Sequence, residues 1–141
     1  MHIVMLAAEN DGLPGGKVGG LADVIRDLPR ALVRAGHSVT VITPDYGRNQ
    51  ELPGSAEQEA LSVEFSGSMH EIRQFTLQPD NKHPGLQYHL LCHPLFAMGC
   101  GQIYINDDAG PFATDATRFS RWSGAACEAV RGYAPGSVEI V

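Results

Sequence analysis

The sequence predicts an α/β domain, a mostly parallel sheet flanked by helices and carrying one antiparallel hairpin, and three observations carry that prediction. Two short runs rich in β-branched residues, His2–Ala8 and Ser38–Thr43, enclose a stretch of helical periodicity. The order strand, loop, helix, strand within about forty residues is a βαβ unit, which sets two parallel strands in one sheet. Further on, two apolar runs joined by Gly67 and Ser68 read as a hairpin.

His2–Ala8 meets the acidic and Gly/Pro-rich stretch Glu9–Gly20, so it reads as a buried strand followed by a loop. Leu21, Val24, Ile25, Leu28, Ala31, Leu32 and Ala35 then recur at helical spacing. Asp23, Arg26, Asp27, Arg30 and Arg34 lie on the other side, and Gly36 supplies the stop. That spacing assigns all seven apolar residues to a core face, and Pro29 predicts a kink. Ser38–Thr43 is a second strand, ended by Pro44. After the polar, turn-rich stretch Tyr46–Ala60, the hairpin strands are Leu61–Ser66 and His70–Leu77, and Leu86–Cys92 is a further strand. Phe96–Gly110 has few periodic apolar residues and predicts an irregular excursion. Phe112, Ala116, Phe119, Trp122, Ala126 and Val130 mark a second helix, ended by Gly132 and Pro135 ahead of a last apolar run, Val138–Val141.

With 141 residues, 43% of them hydrophobic and 18% charged, the chain reads as a single domain, 1–141, able to bury a core without disulfides or metal. A formal charge of −6 argues against a non-specific nucleic-acid binder and against attraction to an anionic membrane surface. The N-terminus lacks a basic region ahead of its apolar run, and no stretch approaches the roughly 20 apolar residues that span a bilayer. Three cysteines, Cys92, Cys100 and Cys127, form no even framework, which predicts free thiols and a cytoplasmic protein.

The chemistry concentrates in the loop DGLPGGKVGGLADV. It lies between a strand and a helix, where α/β proteins place the phosphates of nucleotides. Gly19 and Gly20 let the backbone approach an anion, the helix start offers unpaired amides, and Lys17 adds a point charge. The loop is neither a Walker A motif nor GxGxxG. A flexible turn whose glycines only permit left-handed backbone is the plain alternative; the position after the first strand favours the binding reading.

The string KVGGLADV with Leu28 and Pro29, the segment GHSVTVITPDYG from Gly36 to Gly47, and IYINDDAGPFATDATRF from Ile103 to Phe119 together resemble the bacterial glycogen synthase and plant starch synthase family. The resemblance implies a Rossmann-like domain forming the N-terminal half of a GT-B fold. It also implies a retaining glucosyltransferase that moves glucose from ADP- or UDP-glucose to the non-reducing end of an α-1,4-glucan, with no metal and no organic cofactor. By the same resemblance Lys17 and the amides of Gly19 and Gly20 would face the donor diphosphate. Tyr104 would contact the sugar or acceptor side, and Glu9 and Asp23 would order the loop. The family's His-Asp-Trp type motif follows the strand matching Val138–Val141, and its second domain supplies a Lys/Arg pair for the phosphates and a Glu near the sugar. None of these is present, so no residue of this chain is assigned a catalytic role. The expectation is a piece of a longer two-domain enzyme, inactive alone, whose partners are a nucleotide sugar, a glucan and the missing C-terminal domain. Ala116 stands where the family has Asn, and the loop reaches Lys17 through a longer LPGG approach.

A stand-alone module that binds a nucleotide sugar or oligosaccharide without chemistry is the rival reading. His89, Cys92, His93 and Cys100 match no tetrahedral zinc spacing and are expected to alternate between the faces of a strand, His89 with Leu91 and Leu90 with Cys92. Asp107, Asp108 and Asp115 form no cation-binding ladder and read as a solvated acidic loop.

Overall fold

A computed structural model describes residues 1–98, 102–104 and 115–141. The chain forms β1 (His2–Leu6), α1 (Gly20–Arg34), β2 (Ser38–Asp45), β3 (Ser55–Phe65), β4 (Ser68–Leu77), β5 (Leu86–Cys92), α2 (Pro94–Ala97), α3 (Asp115–Arg131) and β6 (Glu139–Ile140). The six strands make one sheet in the order β3-β4-β5-β2-β1-β6. β5, β2, β1 and β6 run parallel, and β4 and β3 are added antiparallel at one edge. Cys100, Asp107, Asp108 and Phe112 lie outside the described residues, as does most of the expected excursion up to Gly110.

Both faces of the sheet are covered, as parallel strands require. On one face Ile3, Met5, Val39, Val41, Leu86, Tyr88 and Leu90 pack with Ile25 of α1. On the other, Val4, Ile42, Ile72 and Leu91 pack with Ala125, Ala126 and Ala129 of α3, whose small side chains bring that helix close to the strands. Leu90 and Cys92 belong to the first cluster and Leu91 to the second, the alternation expected of β5. The β1-α1-β2 crossover lies on one face and the β5-α3-β6 crossover on the other, with β6 placed on the far side of β1, so strand order reverses at β1. The loops after β1, β2 and β5 meet at this carboxyl end, the place where open α/β sheets bind ligands.

The hairpin strands start earlier than expected, β3 at Ser55 rather than Leu61 and β4 at Ser68 rather than His70, and three further differences from the sequence reading have identifiable reasons. β2 continues through Pro44 to Asp45. Ser38 donates to the Met1 carbonyl and Ala7 donates to that of Ile42, so even-numbered residues of β2 face β1. At Pro44 β1 has already ended, and the missing N–H breaks no ladder bond. The hairpin turn is Ser66–Gly67, with Phe65 paired to Ser68 and φ of 51° and 74° at its centre, the two positive values a type I′ turn needs. α2 begins at the expected excursion because the His93 imidazole accepts the Leu95 N–H at 3.1 Å and Pro94 takes the first helical position.

The face of α1 is a correction. Ala22, Ile25 and Pro29 are buried, with Leu32 and Val33 partly so, whereas Leu21, Val24 and Leu28 are 52%, 49% and 38% exposed, and Ala31 and Ala35 are exposed too. The helix carries two adjacent apolar stripes, and only one meets the sheet. It runs on through Pro29 and ends in a Schellman motif, His37 N–H to Leu32 O at 3.1 Å and Gly36 N–H to Val33 O at 3.0 Å, with Gly36 at φ 93°.

Among the described residues no helix is long and apolar enough to cross a membrane. Cys92 is buried and Cys127 exposed, both as free thiols.

The assignment of α1's faces has a direct test in urea denaturation. Ile25→Ala is expected to cost about 2–5 kcal/mol by leaving a cavity, and Leu28→Ala only about 0.5 kcal/mol. Equal losses would mean that both stripes are packed.

Candidate functional site

The loop after β1 is built around two buried polar residues. Asn10, 1% exposed, accepts the Gly12 N–H on its side chain at 2.8 Å and the Leu13 N–H on its carbonyl at 3.0 Å; its own N–H donates to Gly16 O at 2.9 Å. This folds residues 10–16 back on themselves. A Cβ on Gly12 would stand 2.0 Å from the Tyr88 hydroxyl, and one on Gly16 2.1 Å from the Asn10 carbonyl oxygen. Glycine is therefore a packing requirement at both positions.

Glu9, 5% exposed, closes the other half of the loop. Its Oε2 accepts the N–H of Gly19 at 2.7 Å and of Val18 at 3.1 Å. The Tyr104 hydroxyl donates to the same carboxylate, and burial together with the Glu9 charge pushes that hydroxyl up to about 12. Lys17 Nζ is 2.5 Å from Asp23 Oδ1 and 4.0 Å from Asp11 Oδ2. The bond to Asp23 raises the lysine and lowers the aspartate, so both stay charged. Arg26 joins the group, donating to Asp11 and lying 3.2 Å from Asp23.

Lys17 and Tyr104 line one cleft of about 470 Å³ together with Gly15, Val18, Arg48, Gln102 and Ile103. Glu9 thus links the loop that carries Lys17 to the segment that carries Tyr104, and Asp23 holds Lys17 from the first turn of α1. The Gly19 amide requires a correction: expected to face a phosphate, it donates to Glu9 instead, because a buried carboxylate takes the nearest backbone donors. Gly20 opens α1 and is exposed. A Cβ on Gly19 would meet nothing nearer than 3.7 Å, and one on Gly20 nothing within 4 Å. Neither has positive φ. Unlike Gly12 and Gly16, these two glycines answer no packing demand within the fold.

Two arginines of the site were not singled out from the sequence. Arg118 of α3 is 2% exposed and donates to the carbonyls of Ile103 at 3.1 Å, Gln102 at 3.4 Å and Phe96 at 3.5 Å. Its guanidinium also lies over the rings of Tyr46 and Phe119, 5.9 and 5.7 Å from their centroids. It fixes the backbone that presents Tyr104. Within the sequence its only signal is the Arg-Phe that closes the family-like segment Ile103–Phe119, which by itself assigns the arginine no role. Arg48, which lines the cleft, follows a strand in a polar turn. Among the described residues no three His, Cys, Asp or Glu side chains converge as a metal ion would need.

A family model for the starch synthase catalytic domain matches residues 2–141. Glycogen synthase of Streptococcus pneumoniae strain 70585 is 47% identical over 66 residues, 47% of this chain and 13% of that protein. Glycogen synthase of strain Hungary19A-6 is 46% identical over the same shares. The catalytic domain of starch synthase IV from Arabidopsis thaliana, solved with ADP and acarbose, superposes with a TM-score of 0.73 at 29% identity, covering 99% of this chain and 27% of that one. The chain thus spans about a quarter of that domain.

Removing the Glu9 charge tests the hub. In Glu9→Gln the Tyr104 hydroxyl is expected to titrate below its value of about 12, toward the ordinary 10.0, because the repelling carboxylate is gone. The protonated tyrosine supports folding below pH 10 and that support is lost as pH rises through 12, so the variant, with its folded value nearer 10.0, should lose less stability between pH 10 and 12 than the parent. A tyrosine NMR titration in which Tyr104 does not move would refute the contact, and hydrogen exchange at Val18 and Gly19 should speed up in parallel.

Proposed function

The chain belongs to the starch synthase catalytic domain family, and from that premise we propose that it is the N-terminal portion of a retaining glucosyltransferase. The donor is ADP- or UDP-glucose, the acceptor is the non-reducing end of an α-1,4-glucan, and the reaction runs in the cytoplasm without a metal or organic cofactor. The observation that supports this most is the unfilled space over Gly19 and Gly20 at the start of α1, beside Lys17, in a loop whose other glycines are sterically required.

In this reading the diphosphate approaches the start of α1, where the Gly20 amide and the Lys17 ammonium meet it. As the sugar–phosphate bond breaks, negative charge grows on the leaving nucleotide, and donors already in place stabilise it without reorganisation. Lys17 is suited to this because Asp23 keeps it charged and aimed. Gly19 acts indirectly, its amide tying the loop to Glu9. Tyr104 presents an edge of the cleft to the sugar or acceptor. Groups for the transferred glucose and for the base come from the rest of the enzyme, so the 141 residues alone are expected to transfer nothing. Glucan elongation by the isolated chain would overturn that division of labour.

In the complete enzyme Lys17→Ala should lower kcat more than it raises KM, since the charge it meets is largest in the transition state. A raised KM with unchanged kcat would reduce Lys17 to a ground-state anchor. Gly20→Ala should leave the urea midpoint unchanged, because nothing lies near the added methyl. Its kcat/KM should nonetheless fall by roughly tenfold or more as the methyl displaces the phosphate. Full activity in that variant would remove the phosphate from the start of α1.

A further inference from the structure

The surface of α1 differs between its two flanks. Arg26, Arg30 and Arg34 recur on one of them, and Arg34 Nη1 lies 3.4 Å from Nε2 of His83, a residue of the loop that leads into β5. Leu21, Val24 and Leu28 recur on the other flank at helical spacing, all exposed, with Ala31 and Ala35 extending the strip. The buried stripe of Ala22, Ile25 and Pro29 lies between the two. α1 packs over β2 and β5. With its arginine flank turned toward β5, its apolar flank is turned toward β1 and β6. The sheet is open on that side as well. Ile3 pairs with Glu139 and Val4 with Ile140, so alternation puts Val141 on the face of Ile3 and Met5, which is the face of α1, and there it is 69% exposed. Among the described residues nothing pairs with the far edge of β6.

An apolar helix flank beside a free sheet edge is one surface without its cover. Parallel sheets bury both faces, and a contiguous apolar patch marks a contact site. The occupant that fits is the rest of the enzyme, since the chain covers only 27% of the starch synthase domain on which it superposes. Handedness narrows the choice further. α1 lies on one face as the chain steps from β1 to β2, and α3 lies on the other as the chain steps from β5 to β6, in the opposite direction along the sheet. A strand added outside β6 continues that second direction, so its right-handed crossover belongs on the face of α3. The apolar flank of α1 is left for a later segment. We propose that Leu21, Val24 and Leu28 dock an amphipathic helix supplied by polypeptide beyond that crossover, whose aliphatic face packs along α1 and over Val141. This rests on the reading of the chain as the N-terminal portion of a longer enzyme.

The test is photo-cross-linking of the complete enzyme carrying p-benzoylphenylalanine in place of Val24, with the product mapped by mass spectrometry. The cross-link should join residue 24 to a segment more than about 30 residues beyond Val141, the length of a crossover unit, in a product that keeps the mass of one polypeptide. Oxidation by hydroxyl radicals should agree, with Leu21 and Leu28 reacting several-fold more slowly in the complete enzyme than in the 141-residue chain. Leu28→Ser should leave the melting temperature of that chain unchanged and lower that of the complete enzyme, because only there is the side chain covered. A cross-linked product of doubled mass would overturn the proposal in favour of a second copy. A cross-link within residues 1–141 or to the first crossover after β6 would overturn it too, as would no cross-link with equal oxidation rates. In each of these cases an enzyme that still elongates glucan keeps the glucosyltransferase reading. A longer protein that shows the expected cross-link and elongates no glucan would overturn that reading alone, and a native polypeptide of 141 residues would overturn both.

Discussion

A carboxylate removed from water has to be met by donors, and the way this chain meets that demand at Glu9 shapes most of its working end. The residue sits just past β1, 5% exposed, where solvent cannot satisfy it. Two backbone amides from the far end of the following loop and a hydroxyl from the segment after β5 converge on it instead. The loop must return to its own starting point to deliver Val18 and Gly19. That return sets the direction in which α1 leaves the sheet and brings Lys17 beside Tyr104.

Two other buried charges work in the same way. Asp45 gathers the turn after β2, and Arg118 gathers the carbonyls of residues 96, 102 and 103 after β5. Loops at a sheet end have many backbone groups and little apolar surface, so burial alone cannot order them. A charged side chain satisfies several such groups at once, and its removal would strand them, which makes each of the three a stiff tie. The rigid base is the parallel core, where β2 is buried from Val39 to Asp45 and cannot shift register without turning its apolar residues outward.

The glycines divide along the same line. Gly12, Gly15 and Gly16 sit where another residue's atoms already occupy the space for a side chain, so the flexible-turn reading of this loop understates how tightly it is packed. Gly19 and Gly20 sit where nothing does. Sequence spacing treats all five alike, because what separates them is the distance to Tyr88, Arg48 and the Asn10 carbonyl, residues brought near only by folding.

By itself the sequence determined the order of the elements, the βαβ unit, the hairpin, the alternation along β5 and the loop that carries the site, since each is written in a local period or in a glycine at a fixed offset. The resemblance carried by KVGGLADV lies in the same local signals. Only the tertiary structure decided which of α1's two apolar stripes is buried, for Leu21, Val24 and Leu28 satisfy helical periodicity as well as Ile25 and Leu32 do. It alone decided that the Gly19 amide goes to Glu9, that Arg118 is buried and that Arg48 belongs to the cleft. Each of those outcomes pairs residues that no local period links, 9 with 19, 118 with 96 and 103, 15 with 48. Their pairing depends on how the strand ends are brought together, which no local pattern encodes.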